Sequence, residues 1–177
     1  MRMHDSKGFT LIELLIVVAI IGIIASIAVP GLLRARIAGN EASAIGSLKA
    51  IGSAQVTFSS SCAPGGFAVD LADLVKKPTG SSQGFISPDL NANQVVKSGY
   101  KLSLAADAGA QDIGGTTVCG NSVTQPKTSY MANADPVTSG GTGTRHFATD
   151  ARGTIWQDST QAIAAPINAS ATTRLLQ

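Results

Sequence analysis

Apolar residues are unevenly distributed along the chain. Residues 9–33 form a nearly continuous apolar run, interrupted only by Thr10, Glu13, Gly22, Ser26, Pro30 and Gly31. As an α-helix this segment would be roughly 37 Å long, which is enough to cross a hydrocarbon core of about 30 Å. The pattern therefore predicts a membrane-spanning helix over residues 9–33.

A helical pattern of a different kind continues to about residue 61. Apolar residues there recur at spacings of three or four or their multiples, which indicates one apolar face on a helix: Ile37, Ile45, Leu48, Ile51 and Val56. We expect one long helix over residues 9–61, apolar all round at first and amphipathic afterwards. Pro30 and Gly31 predict a kink within it, because proline removes a helical hydrogen bond and glycine is flexible.

The Ser, Pro and Gly cluster at 59–66 predicts the end of the helix, and residues 62–177 are expected to form a separate β-rich head. Period-2 alternation predicts a strand at 100–104 and a weaker one at 129–134. Other expected elements are a short helix within 67–77, a loop at 138–144 and a hairpin of 146–149 and 154–157 around the turn 150–153; residues 159–177 are left unassigned. The predicted fold class is α+β, a long N-terminal helix packed against a small antiparallel sheet.

Charge and motifs exclude several functions. The chain has 13 Lys and Arg against 11 Asp and Glu, so its net charge of +2 does not indicate a nucleic-acid partner. No nucleophile elbow, phosphate loop or zinc-protease helix motif is present, so we expect neither an enzyme nor a cofactor. No metal site is expected either, because His146 is the only histidine after the first eight residues and Asp107 with Asp112 gives an incomplete calcium ladder.

Three features coincide at the start of the apolar run. A short basic segment, residues 1–8, ends in Gly8; Phe9 opens the apolar run; and Glu13 is a lone carboxylate inside it. A carboxylate within a membrane-spanning segment is costly and needs a partner. Cleavage between Gly8 and Phe9 would create one, since the new ammonium of Phe9 could lie beside Glu13 of a neighbouring copy.

This segment resembles the N-terminus of type IV pilins and the related type II secretion pseudopilins. The residues that carry the resemblance are Lys7-Gly8-Phe9-Thr10-Leu11-Ile12-Glu13-Leu14-Leu15-Ile16-Val17-Val18-Ala19-Ile20-Ile21-Gly22. The resemblance implies that a prepilin peptidase removes residues 1–8 after Gly8, that Phe9 is N-methylated and that Glu13 is needed for assembly. It also matches Pro30 to the helix-breaking proline of the family.

Two simpler interpretations of the same residues remain open. Thr10 and Glu13 fit a capping box, in which the carboxylate bonds a backbone N–H of its own helix and needs no partner chain. Ser26-Ile27-Ala28 fits the small-residue cleavage site of an ordinary secretory signal.

Cys62 and Cys119 are the only cysteines. In an exported head a disulfide between them would persist, and closing so long a loop would stabilise the fold by about 4 kcal/mol in the chain-entropy model. Two free thiols are the alternative.

The sequence predicts a pilin: a structural subunit of a type IV pilus-type filament, held in the bacterial inner membrane as a single-pass precursor and then polymerised outside the cell through its N-terminal helix. Its partners would be further copies of itself in a helical filament, the prepilin peptidase, an inner-membrane assembly platform and, before assembly, membrane lipid. The alternatives are a pseudopilin in a periplasmic pseudopilus and a monomeric, membrane-anchored binding domain.

Overall fold

A computed structural model describes residues 8–78, 80–113 and 124–176. The chain comprises two compact units, Met1–Arg36 and Ile37–Gln177. Helix α1, Leu11–Ser61, contributes residues to both. It is followed by a short helix α2, Leu71–Val75, and a 3-10 helix, Pro88–Leu90. With the sheet described below, these elements confirm the predicted α+β fold.

The first unit consists, in its described part, of the first half of α1 and the residues before it. Regular helix begins at Leu11, two residues later than the sequence suggested, and continues through Pro30. Every described side chain from residue 8 to residue 36 is exposed. The apolar run therefore has no cover within its own unit.

In the second unit, the remainder of α1 buries one face, as its amphipathic pattern predicted. Buried positions recur at spacings of three and four, which places them on one side of the helix; they are Glu41, Ala44, Ser47, Leu48, Ile51, Ala54, Gln55 and Phe58. Val56 lies off this face and is exposed. Of the five apolar positions in the predicted pattern, Leu48 and Ile51 are thus buried, Ile37 and Ile45 are half-buried, and Val56 is exposed.

In the described part of the chain, six antiparallel strands form one sheet in chain order. They are β1 (Val95–Lys97), β2 (Tyr100–Ala106), β3 (Tyr130–Pro136), β4 (His146–Asp150), β5 (Ile155–Asp158) and β6 (Arg174–Leu175). The strands predicted from alternation at 100–104 and 129–134 correspond to β2 and β3, and the hairpin predicted around the turn 150–153 corresponds to β4 and β5. The two edge strands were not predicted, because three and two residues are too few to show a period.

The main core lies between α1 and one face of the sheet. Alternate residues of β3 and β4 point into it, including Tyr130, Ala132, Ala134 and Phe147, and Tyr100 of β2 is fully buried there. A smaller cluster on the opposite face joins Met131, Ala148, Ile163 and Ile167, with Trp156 packed against it. The segment after β5, which the sequence left unassigned, covers this second face.

The buried carboxylate of Glu41 joins α1 to the loop before β4. Oε1 accepts hydrogen bonds from the backbone N and the hydroxyl of Thr144 at 2.9 and 2.8 Å. Oε2 accepts from Nε and Nη2 of Arg145 at 2.9 and 2.6 Å. Burial alone would raise the pKa of Glu41, but these hydrogen bonds and the Arg145 charge outweigh it, so the pKa is lowered.

Asp158, at the end of β5, organises the segment that follows it. Its carboxylate is buried and accepts hydrogen bonds from the backbone N and hydroxyl of Thr160, from the backbone N of Gln161 and from the hydroxyls of Thr172 and Thr173. Burial opposes ionisation, but the hydrogen bonds prevail and the pKa of Asp158 is lowered. One charged group thus fixes both ends of the segment 159–173.

We expect Asp158→Asn to destabilise the head by about 2 kcal/mol or more, because an amide cannot accept all the hydrogen bonds that the carboxylate accepts. The folded-state pKa lies below the ordinary aspartate value of about 3.9, so this stabilisation is present above that value and is lost as the pH falls through the folded pKa. Thermal unfolding of the full chain in detergent between about pH 7 and pH 2 measures both effects. Asp112→Asn is the matched control, since its exposed ion pair with Lys127 should contribute at most about 1 kcal/mol. Equal stability of the two variants would contradict the role of Asp158.

Candidate functional site

The N-terminal end of α1 is capped by its own residues. The backbone N and the hydroxyl of Thr10 donate to Oε2 of Glu13 at 2.9 and 2.5 Å, and the backbone N of Glu13 donates to Oγ1 of Thr10 at 3.3 Å. This reciprocal arrangement is the capping box that the sequence offered as an alternative for Glu13. Within a single copy, the carboxylate of Glu13 thus accepts its hydrogen bonds from its own helix.

Gly8 and Phe9 precede the helix and are accessible. Phe9 is 84% exposed, and a side chain added at Gly8 would meet no atom within 4 Å. The peptide bond between them is therefore open to an approaching protein. This geometry is compatible with the predicted cleavage, which stays a prediction.

The apolar surface is the most prominent feature of the first unit. Exposed side chains are distributed all round the helix and include Leu11, Leu15, Ile20, Ile24, Ile27 and Leu32. By length and composition, α1 is the one helix in the described part of the chain that could cross a membrane. A surface of this kind requires lipid or protein to cover it, because each large side chain transferred from water gains about 1.5–3 kcal/mol.

Pro30 and Gly31 lie within regular helix. A methyl group at Gly31, and likewise at Gly22, would meet no atom within 4 Å, so the single chain gives no packing reason for glycine at either place. The bend predicted at this point stays a prediction.

The remaining candidate residues lie in the head. Cys62 is buried and is not a free cysteine, whereas Cys119 lies outside the described residues, so their pairing stays a prediction. Asp107 accepts hydrogen bonds from the Ala108 backbone N and the Ser129 hydroxyl, and Asp112 pairs with Lys127. The carboxylates weighed for calcium thus have protein partners, and no cluster of three metal-ligating side chains occurs among residues 8–78, 80–113 and 124–176.

Sequence reasoning missed the Glu41 and Arg145 pair. Glu41 falls on the buried face of α1, three residues before Ala44, where an acidic residue is unexpected unless it is paired. That position was the available signal, but its partner could not be inferred because Arg145 is far away in the sequence.

Comparisons with known proteins find matches to the N-terminal segment of the chain. A family model described as "Prokaryotic N-terminal methylation motif" matches residues 3–29. The "Type IV major pilin protein PilA" of Myxococcus xanthus is 49% identical over 53 residues, which cover 30% of this chain and 24% of that protein. The "Type IV wide pilus major component PilA4" of Thermus thermophilus is 59% identical over 39 residues, or 22% of this chain and 30% of that protein.

The chain thus spans less than a third of the length of these curated relatives. No solved structure matched it. The motif nevertheless includes Gly8, Phe9 and Glu13, the residues on which the predicted resemblance rested, and that prediction is confirmed. The N-terminal motif and the named relatives together show that the N-terminal part of this chain is similar to that of type IV major pilins.

Proposed function

We propose that the chain is a pilin that is cut after Gly8, methylated at Phe9 and polymerised through its N-terminal helix into an extracellular filament. The observation that carries this proposal is the methylation motif at residues 3–29, located on a helix whose apolar surface is exposed all round. The helix is held in the inner membrane before assembly. In the filament, contact with neighbouring helices replaces contact with lipid.

Glu13 would set the register between copies. Removal of residues 1–8 leaves an ammonium on Phe9, and Glu13 of an adjacent copy can pair with it after a displacement of about one helical turn. Opposite charges 4 Å apart attract by about 4 kcal/mol at an effective dielectric constant of 20, and desolvation opposes this gain. The pair would therefore contribute more to register than to net stability.

A monomeric, membrane-anchored binding domain is the second candidate, and the capping box favours it. In that case Glu13 serves only its own helix and assembly plays no part. A pseudopilin would share the N-terminal chemistry and differ in remaining within the periplasm.

We expect the mature protein to begin at Phe9 and to carry one extra methyl group on its amino terminus. N-terminal sequencing and intact-mass analysis of the protein from its native host measure both features. Gly8→Val should retain residues 1–8 without disturbing the fold, because nothing lies within 4 Å of that position. Ala28→Val is the control, because it alters the small-residue cleavage site of an ordinary secretory signal and should leave cleavage after Gly8 unchanged. A mature protein that begins at Val29, or still at Met1, would show the proposed processing to be wrong.

We expect Glu13→Ala to abolish surface filaments, while Thr10→Val, which removes the capping hydroxyl but keeps the carboxylate, should leave them. Filaments sheared from the cells are measured by immunoblotting and electron microscopy, with membrane levels of each variant as the loading control. Filament loss in both variants would indicate that assembly depends on the capping box and not on a pairing of Glu13 with a neighbouring copy. Normal filaments with Glu13→Ala would show that Glu13 is not needed for assembly. An absence of filaments from the parent protein would favour the monomeric anchor, and parent filaments confined to the periplasm would favour the pseudopilin.

We expect replacement of both Pro30 and Gly31 by Ala to leave insertion and processing intact but to impair or alter filaments. The change raises helix propensity by about 4 kcal/mol on peptide scales and stiffens a segment that must fit among its neighbours. Gly22→Ala is the matched control, since it is another helical glycine with open surroundings. Filaments of unchanged yield and diameter in the double variant would mean that assembly does not require a flexible point in the helix at Pro30 and Gly31.

A further inference from the structure

A cleft opens at the β6 edge of the sheet, away from any residue that the proposed assembly uses. It has a volume of about 500 Å³, and its walls include Arg145, Trp156, Gln157, Ser170 and Arg174. A second concavity of about 360 Å³ shares Arg145, Gln157 and Arg174 with it. These three polar residues therefore line both the cleft and the second concavity.

The strand register explains why the three side chains form a row. Gln157 of β5 lies directly opposite Arg174 of β6, and such cross-strand neighbours have Cβ atoms about 5 Å apart on the same face. Oε1 of Gln157 accepts a hydrogen bond from Nη1 of Arg145 at 2.7 Å. Gln157 is thus hydrogen-bonded to Arg145 and is the cross-strand neighbour of Arg174.

The carboxylates nearest this row have no capacity left for it. Glu41 is buried and accepts from Thr144 and Arg145, while Asp158 is buried and accepts from the threonines after β5. Arg174 donates only to the backbone carbonyl of Ala171 and has no carboxylate partner in the described part of the chain. The cleft therefore presents N–H donors and one uncompensated positive charge.

Trp156 lies on the other face of the sheet from this row. It is opposite Ala148 and Leu175 across the strands and packs against the smaller cluster, whereas Gln157 and Arg174 point to the face of Phe147. Its Nε1 is buried and makes no hydrogen bond to any described residue. That donor is therefore not one of the donors of the arginine row.

We propose that this cleft binds a phosphate group, held between Arg145 and Arg174. Guanidinium groups fit phosphate oxygens through paired N–H donors, and a tetrahedral anion accepts from several directions at once, which suits donors on both sides of Gln157 and the hydroxyl of Ser170. Arg145 keeps two of its five N–H groups after its bonds to Glu41 and Gln157, and Arg174 keeps three. The group is either free inorganic phosphate or the phosphate of an ester.

Trp156 is the only tryptophan in the chain and is adjacent to Gln157 in β5, so its fluorescence is a local probe of changes at the cleft. The full chain in neutral detergent is titrated with sodium phosphate, and sodium chloride at the same ionic strength serves as the reference. We expect a saturable change with phosphate alone. Arg174→Gln should weaken binding at least tenfold, and Lys101→Gln, which removes an exposed charge elsewhere on the sheet, should change it less than twofold.

The outcomes separate the possibilities. An unsaturable response, or equal weakening by Lys101→Gln, would overturn the site in favour of general electrostatic attraction. Tighter binding of glycerol 3-phosphate than of inorganic phosphate would identify an ester as the ligand, and the reverse order would identify the free ion. If Arg174→Gln fails to fold by circular dichroism, Arg174→Lys replaces it; affinity equal to that of the parent would overturn the proposal. Glu13→Ala should bind phosphate normally, so a failure of assembly is distinguishable from a failure of this site.

Discussion

The uncovered apolar surface at residues 9–33 is the constraint on which the rest of the molecule depends. A helix that is apolar all round cannot remain in water, because each large side chain left there forgoes about 1.5–3 kcal/mol. Within residues 8–36, the described part of the first unit, no other element covers it. In the second unit, by contrast, α1 is apolar on one face only, and that face is buried against the rest of the same unit.

Carboxylates that accept several hydrogen bonds hold the second unit together. Glu41 ties the helix to the loop before β4, and Asp158 ties the segment after β5 back to the sheet. Both remain ionised because their donors compensate for burial, and removing a partner from such a group costs more than an average surface pair contributes. A head with few large apolar residues and many Gly, Ser and Thr loops can thereby keep a defined shape.

The sequence predicted the parts of the fold that repeat with a clear period. The helix and strands β2 and β3 follow from spacings of three, four or two residues, β4 and β5 follow from the turn between them, and the capping box follows from Thr10 and Glu13. Edge strands β1 and β6 were missed because pairing with β2 and β5, rather than any local pattern, creates them. The same limit applies to Arg145, whose contacts with Glu41 and Gln157 join separate elements.

The capping box and the proposed assembly role of Glu13 are compatible on physical grounds. In a single copy the carboxylate accepts from the backbone N and the hydroxyl of Thr10, so it is not left without donors before assembly. The ammonium of a neighbouring Phe9 would then donate to a carboxylate that already accepts from Thr10. A carboxylate has enough lone pairs to accept from Thr10 and from the ammonium at once. The net gain from pairing is smaller than for a bare carboxylate, whereas an incorrect register would still leave the ammonium uncompensated in an apolar surrounding. An interaction of this kind selects register strongly while adding little to the affinity between copies.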